Sequence, residues 1–177
     1  MGSESRSAEV PGRLLCLVPL AVALHNLEEA VLMRGLLPLD PARLPEPLRG
    51  IVPHVTYPRF AVALLVVTVI PFAIAVAGHL RRSGGATVFL LLATQAVLLL
   101  NVLSHIGSAI LLRGYSPGLV TALLVNLPVS VYLFRRAARE HWLSRRALRA
   151  LPIVAVLVHG PGIVALFALA AWLMPGP

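Results

Sequence analysis

Long apolar runs dominate this chain. They cover about residues 13–33, 60–80, 86–112 and 151–174, with a shorter one at 119–134. A helix needs about 20 apolar residues to cross the hydrocarbon core of a bilayer, and every run but the one at 119–134 reaches that length. Of the residues, 58% are hydrophobic and only 12% charged, whereas a soluble domain carries about 25% charge. The expected architecture is therefore all-α: an integral membrane helical bundle with about five transmembrane helices.

The runs divide the chain. Residues 1–12 are polar and read as a disordered N-terminal tail, and 13–177 as a single transmembrane domain. A retained first span is expected rather than a cleaved signal peptide. Cleavage after Ala23 would leave His25 and two glutamates beside a loose new terminus. Residues 34–59 form a proline-rich connector containing Pro53-His54-Val55-Thr56-Tyr57-Pro58, an extended or turn segment. Pro71 is expected to kink the second span, and Asn126 and Pro128 to interrupt the fourth. Residues 135–150 read as a basic helix or loop.

All 15 basic residues are arginine, against seven acids. They fall at the ends of the apolar runs and in the 135–150 segment, as topology determinants with some attraction to anionic head groups. Placing the N-terminus, the 81–85 turn and 135–150 on one side gathers ten arginines there and leaves five on the other. The ten-arginine side is expected to be cytoplasmic, with the N-terminus inside and the C-terminus outside a cell membrane crossed several times. No basic face interleaved with aromatics is present, which argues against a nucleic-acid partner. The lysine-free, Ala/Leu/Arg-rich usage suggests a GC-rich bacterial genome. Cys16 is the lone cysteine; it cannot form an intramolecular disulfide and is expected to be a small buried apolar residue.

Glu28 and Glu29 break the apolar pattern. They are the only acids inside any of the long runs, and an ionisable residue at membrane depth costs about 2.5–3.5 kcal/mol on insertion scales. Two adjacent carboxylates need a compensating partner. At ~100° per residue, Glu28 lies about 60° to one side of His25 and Glu29 about 40° to the other. The imidazole and both carboxylates share one helix face. One nitrogen and two oxygen donors there suit a cation; the structural alternative is a carboxylate pair neutralised by a buried arginine.

The third run carries a second polar pair, Asn101 and His105, also on one face. The first and third spans run in the same direction, so depth can be counted. Glu28 and Asn101 each lie roughly 22 Å from the inner end of their span at ~1.5 Å per residue. The two clusters thus reach one level and are expected to form one site. Its candidate metal ligands are His25, Glu28, Glu29, His105 and, from the connector, His54. Glu28, Glu29 and Asn101 are the candidate catalytic residues. Two imidazoles with carboxylates favour zinc, iron or manganese over calcium, and Asn101 would orient a ligand or substrate. Tyr115, Asn126 and His159 are further candidates, the last beside a helix break at Gly160-Pro161-Gly162. His79 and His141 read as interfacial and solvated.

His25-Asn26-Leu27-Glu28-Glu29, near the end of a first apolar span, resembles the motif of the bacterial family of uncharacterised membrane proteins named for His-x-x-Glu-Glu. Asn101 to His105, Tyr115-Ser116-Pro117-Gly118 and Thr121-Ala122 are similar to that family's later landmarks. The resemblance covers most of residues 14–130 and implies several spans and metal chemistry, without a reaction. A weaker resemblance to membrane-embedded CAAX-type proteases breaks at two points. Arg34 stands one residue too far from the Glu pair, and Asn101 precedes His105 where that family has His before Asn.

These features point to a membrane-embedded, metal-dependent enzyme, a hydrolase acting on a lipid-like or amphipathic small molecule. The metal would activate water and one glutamate would serve as base. Two alternatives use the same residues. One is an acid-type isomerase or cyclase of an isoprenoid or polyketide lipid, working through a protonated glutamate. The other is a non-catalytic membrane protein that binds a metal or proton.

Overall fold

The computed structural model describes residues 15–38, 55–81 and 84–174. Among these residues every regular element is helical. We label the five helical rods α1 (Leu17–Met33), α2 (Tyr57–Arg81), α3 (Gly85–Leu111), α4 (Leu119–Arg139) and α5 (Arg145–Leu173). The N-terminal tail and His54 lie outside the described residues.

Four of the rods, α2 to α5, are long and apolar enough to cross a membrane. α1 is described over 17 residues, about 25 Å at ~1.5 Å per residue, and ends in the two carboxylates and Arg34. Pro71 is accommodated inside an unbroken α2. The expected short fourth span is longer than its apolar run, because the helix continues through the basic turn to Arg139.

Two rods contain π turns. In α4 the π turn covers Ala122–Asn126, and in α5 it covers Val158–Gly162. A π turn closes its hydrogen bond one residue later than an α turn, and such insertions recur at functional sites. Pro128 and Pro161 lie close by and lack the N–H that a regular helix would use.

Packing follows the rule for helices in lipid, where small residues allow close approach. The buried apolar set includes Ala21, Ala63, Ala93, Ala96, Ala122, Ala137, Ala155 and Ala170, with Val18, Leu91, Leu92 and Leu133 filling between them. Large apolar side chains such as Leu65, Ile70, Val76, Ile110, Leu124 and Trp172 face outward. His25, Gln95, His105, Asn126 and Ser130 face inward. An apolar exterior around a polar interior matches a hydrocarbon solvent.

α4 and α5 are joined by a tight turn. Trp142 is buried against the core, and its indole N–H donates to Glu140 Oε2 at 2.9 Å. Arg136 Nε donates to Glu140 Oε1 at 2.6 Å. Ser144 caps α5 by accepting the Ala147 N–H. The indole and guanidinium bonds hold the Glu140 carboxyl below the usual carboxylate range. Cys16, expected to be buried, is exposed instead; it precedes α1 and points away from the face carrying Val18, Ala21 and Val22.

Candidate metal centre

The last two turns of α1 present four polar residues, and the surrounding helices sort them. Asn26 turns to α2, where its Nδ2 donates to Thr68 Oγ1 at 2.7 Å and reaches Leu64 O at 3.4 Å. Tyr57 of α2 donates to Ala30 O at 3.1 Å. These bonds lock α1 to α2 and leave the opposite face for the site.

Glu28 faces the start of α4. Helix N-termini carry backbone N–H groups without internal acceptors and favour negative charge. The residue in the capping position of α4, Gly118, has no side chain to supply an acceptor. Glu28 does so from α1: it accepts the Thr121 N–H at 2.7 Å and the Val120 N–H at 3.3 Å. It also accepts the Thr121 hydroxyl at 2.6 Å and the Tyr115 hydroxyl. Burial and the bond to Glu28 push the Tyr115 phenol up to about 12, so it remains a donor. These four bonds of Glu28 join α1 to the α3–α4 link and to the first turn of α4.

Glu29 faces the histidines. Its Oε1 lies 3.3 Å from His105 Nε2 and 3.8 Å from His25 Nε2. The two Nε2 atoms lie 3.2 Å apart, with their rings edge-to-face. His25, Glu29 and His105 form a group whose potential ligand atoms all lie within 4.8 Å of one another. Donors about 2.0–2.1 Å from a tetrahedral zinc are separated by about 3.3–3.4 Å. Two of the three edges match that figure, and the third is slightly longer. The donor set therefore fits a small transition-metal ion.

The surroundings dictate which nitrogens are bare. The Thr121 hydroxyl has one proton, committed to the Glu28 carboxylate, so towards His25 Nδ1, 2.9 Å away, it acts as acceptor. His25 consequently carries its proton on Nδ1 and directs the Nε2 lone pair into the site. His105 Nδ1 lies 3.2 Å from Ser116 Oγ, which leaves His105 Nε2 facing His25 and Glu29. A carboxylate–hydroxyl–histidine chain of this kind fixes ring orientation and tautomer in metal ligands. Asn101 Nδ2 donates to the His25 Nε2 lone pair at 2.7 Å.

Gly118 closes one side. Its φ is +91°, and a Cβ there would fall 2.7 Å from His105 Cε1 and 2.9 Å from His25 Cε1. Only glycine combines that left-handed conformation with so close an approach of backbone to both rings. The remaining sequence candidates fall in different places. His159, in the π turn of α5, meets Ser104 at 3.0 Å and stands close enough to His105 and Glu29 to interact with both electrostatically, so it flanks the site. Asn126 packs with Gln95 and Ser130 instead of reaching the histidines. His79 is exposed near the end of α2, and His141 belongs to the α4–α5 turn.

The matched depth of Glu28 and Asn101 thus does bring the two clusters together, but the paired glutamates have different neighbours. The sequence singled out Ser116, Gly118 and Thr121 only as landmarks of the family resemblance and gave them no role in the site. Their signal lay in the Ser116-Pro117-Gly118 turn and in Thr121, polar or flexible residues placed where α4 begins.

A family profile described as a protein of unknown function with HXXEE motif matches residues 16–133. The matched region contains α1 to α3 and most of α4, and with them His25, Glu28, Glu29, Asn101, His105, Gly118 and Thr121. The chain belongs to this family. No curated protein and no solved structure matches it.

Proposed function

We propose that the protein is a membrane-embedded, metal-dependent enzyme that hydrolyses an amphipathic or lipid-like substrate. The observation that carries this reading is the convergence of His25 Nε2, His105 Nε2 and Glu29 Oε1, spaced like three corners of a ligand tetrahedron. Three protein ligands with a fourth position left to water or substrate are the pattern of catalytic sites, whereas structural zinc sites are closed by four. The same two-histidine, one-carboxylate set suits iron, and manganese also accepts such donors.

In this reading His25, His105 and Glu29 hold the ion. A bound metal would act as a Lewis acid and lower the pKa of its water into the neutral range. Glu29 is the most accessible of the three, with 17% of its side chain exposed against 1% for His25. Its second oxygen remains to accept the proton of the attacking water. The His25 Nε2 lone pair that accepts from Asn101 Nδ2 is the one an ion would take, so metal binding would free the Asn101 amide to bond a polar group of the substrate. Glu28 serves as a positioning residue, acting through Thr121 on His25. The apolar exterior supports a substrate that arrives from the bilayer.

The test is metal-dependent turnover. Chelated protein in detergent or nanodiscs is supplied with amphipathic carboxylic esters, amides and phosphoesters, then restored with zinc, ferrous iron or manganese. Hydrolysis that appears only on restoration, and fails in Glu29→Gln, supports the proposal. Metal uptake without hydrolysis of any of the three classes would oppose the hydrolase reading and favour a metal-binding membrane protein.

A further inference from the structure

A second polar cluster lies in the interior, between α3 and α4. Gln95, Asn126 and Ser130 each show 0% exposure. Gln95 Nε2 donates to Ser130 Oγ at 2.7 Å and reaches Asn126 O at 3.4 Å. The other side-chain atoms are orphaned: Gln95 Oε1, Asn126 Oδ1 and Asn126 Nδ2 find no partner in the protein. An unsatisfied buried polar group costs about 1–3 kcal/mol, and each of these three atoms, on two neighbouring side chains, calls for a partner.

We propose that Gln95, Asn126 and Ser130 form an internal hydration site that binds ordered water. The orphaned atoms define the ligand: two acceptors, Gln95 Oε1 and Asn126 Oδ1, and one donor, Asn126 Nδ2. Water donates twice and accepts, and buried waters make about three hydrogen bonds to such groups. A metal cation would satisfy the oxygens but set its charge against the Asn126 N–H, and the cluster contains no carboxylate to balance it. An anion would leave both carbonyl oxygens opposed. A neutral donor–acceptor as small as water fits both the chemistry and the full enclosure.

The π turn explains why the cluster lies here. In a regular α-helix Thr121 and Asn126, five residues apart, would diverge by about 140°. The Ala122–Asn126 turn, closed by the Leu127 N–H on Ala122 O, has the i to i+5 closure that brings residues so spaced over one another. Thr121 can then face His25 while Asn126 faces Gln95. Ser130 lies one turn further along the same face. The water site and the hydroxyl that orients His25 therefore occupy opposite ends of one π turn. The proposal does not depend on a metal at His25 and His105.

A high-resolution structure of the full chain in lipid or detergent tests this directly. A solvent peak is expected about 2.7–3.2 Å from Gln95 Oε1 and from the Asn126 side-chain amide. The same peak should be lost in Asn126→Leu. Gln95 and Asn126 amides bonded directly to each other with no peak between them would overturn the proposal. A peak contacting oxygens alone at about 2.3–2.6 Å, the spacing of a cation, would overturn it equally.

Discussion

His25 Nε2 and His105 Nε2 stand 3.2 Å apart although 80 residues separate them in the chain. A contact that short between two ring nitrogens needs a proton or a cation between them. Each ring is held in place from behind, His25 by Thr121 and His105 by Ser116, so neither turns away without losing a buried hydrogen bond. Both Nε2 atoms are thereby kept turned towards Glu29 Oε1.

The adjacent glutamates are expected to separate experimentally. Glu29→Gln should lose bound metal while leaving the fold near wild-type stability. Glu28→Gln should retain an ion at saturating metal but bind it about 10–100-fold more weakly, as for lost support of a ligand. Loss of charged acceptors at the α4 N-terminus should also destabilise the fold by about 1–3 kcal/mol. Metal titration and thermal unfolding of both variants check this. Equal losses of metal in the two would remove the distinction.

Gly118→Ala should be damaging out of proportion to its size. The left-handed backbone costs a non-glycine residue about 1–2 kcal/mol, and the new methyl would press on both rings within 2.9 Å. Weaker metal binding together with a lower unfolding temperature is the expected pair of results. Gly107→Ala, where a Cβ meets nothing within 4 Å, is the matched control and should change little.

The α4–α5 turn carries a pH dependence of its own. Glu140 has a folded-state pKa below its ordinary 4.5, because the Trp142 indole and Arg136 guanidinium bond its charged form. A lowered carboxylate pKa contributes stability that is present above the unfolded value and lost as pH falls through the folded one. The stability difference between wild type and Glu140→Gln should hold steady above pH 4.5 and shrink below it. A difference that grows on acidification would contradict this sign.

Orientation rests on arginine placement, ten on one side against five on the other. A cytoplasm-active reporter fused after Pro177 should be silent, and one inserted within residues 137–147 active. The opposite pattern would invert the protein and move the site to the cytoplasmic half.

The helices were legible in the sequence because bilayer thickness imposes a length that composition reveals directly. The convergence of His25 with Asn101 and His105 was legible for a related reason: parallel spans let depth be counted in residues. Other features were hidden. Glu28 and Glu29 share a face when α1 is considered alone, and only the neighbours decide that one caps α4 while the other meets the histidines. Pro128 and Pro161 signal interruption of α4 and α5 but not that it takes the form of a π turn. Gln95 gave no warning, since a single amide in an apolar run becomes informative only when Asn126 and Ser130 are placed against it. The possible contribution of His54 lies outside the described residues.

The most direct test of the account is elemental analysis of the purified full chain after exposure to zinc, ferrous iron and manganese. The account predicts about one tightly held transition-metal ion per chain, as for a site with three protein ligands. The ion should be retained in His141→Ala and lost in His25→Ala, His105→Ala and Glu29→Gln. Wild-type protein that holds no stoichiometric metal under all three conditions would contradict it.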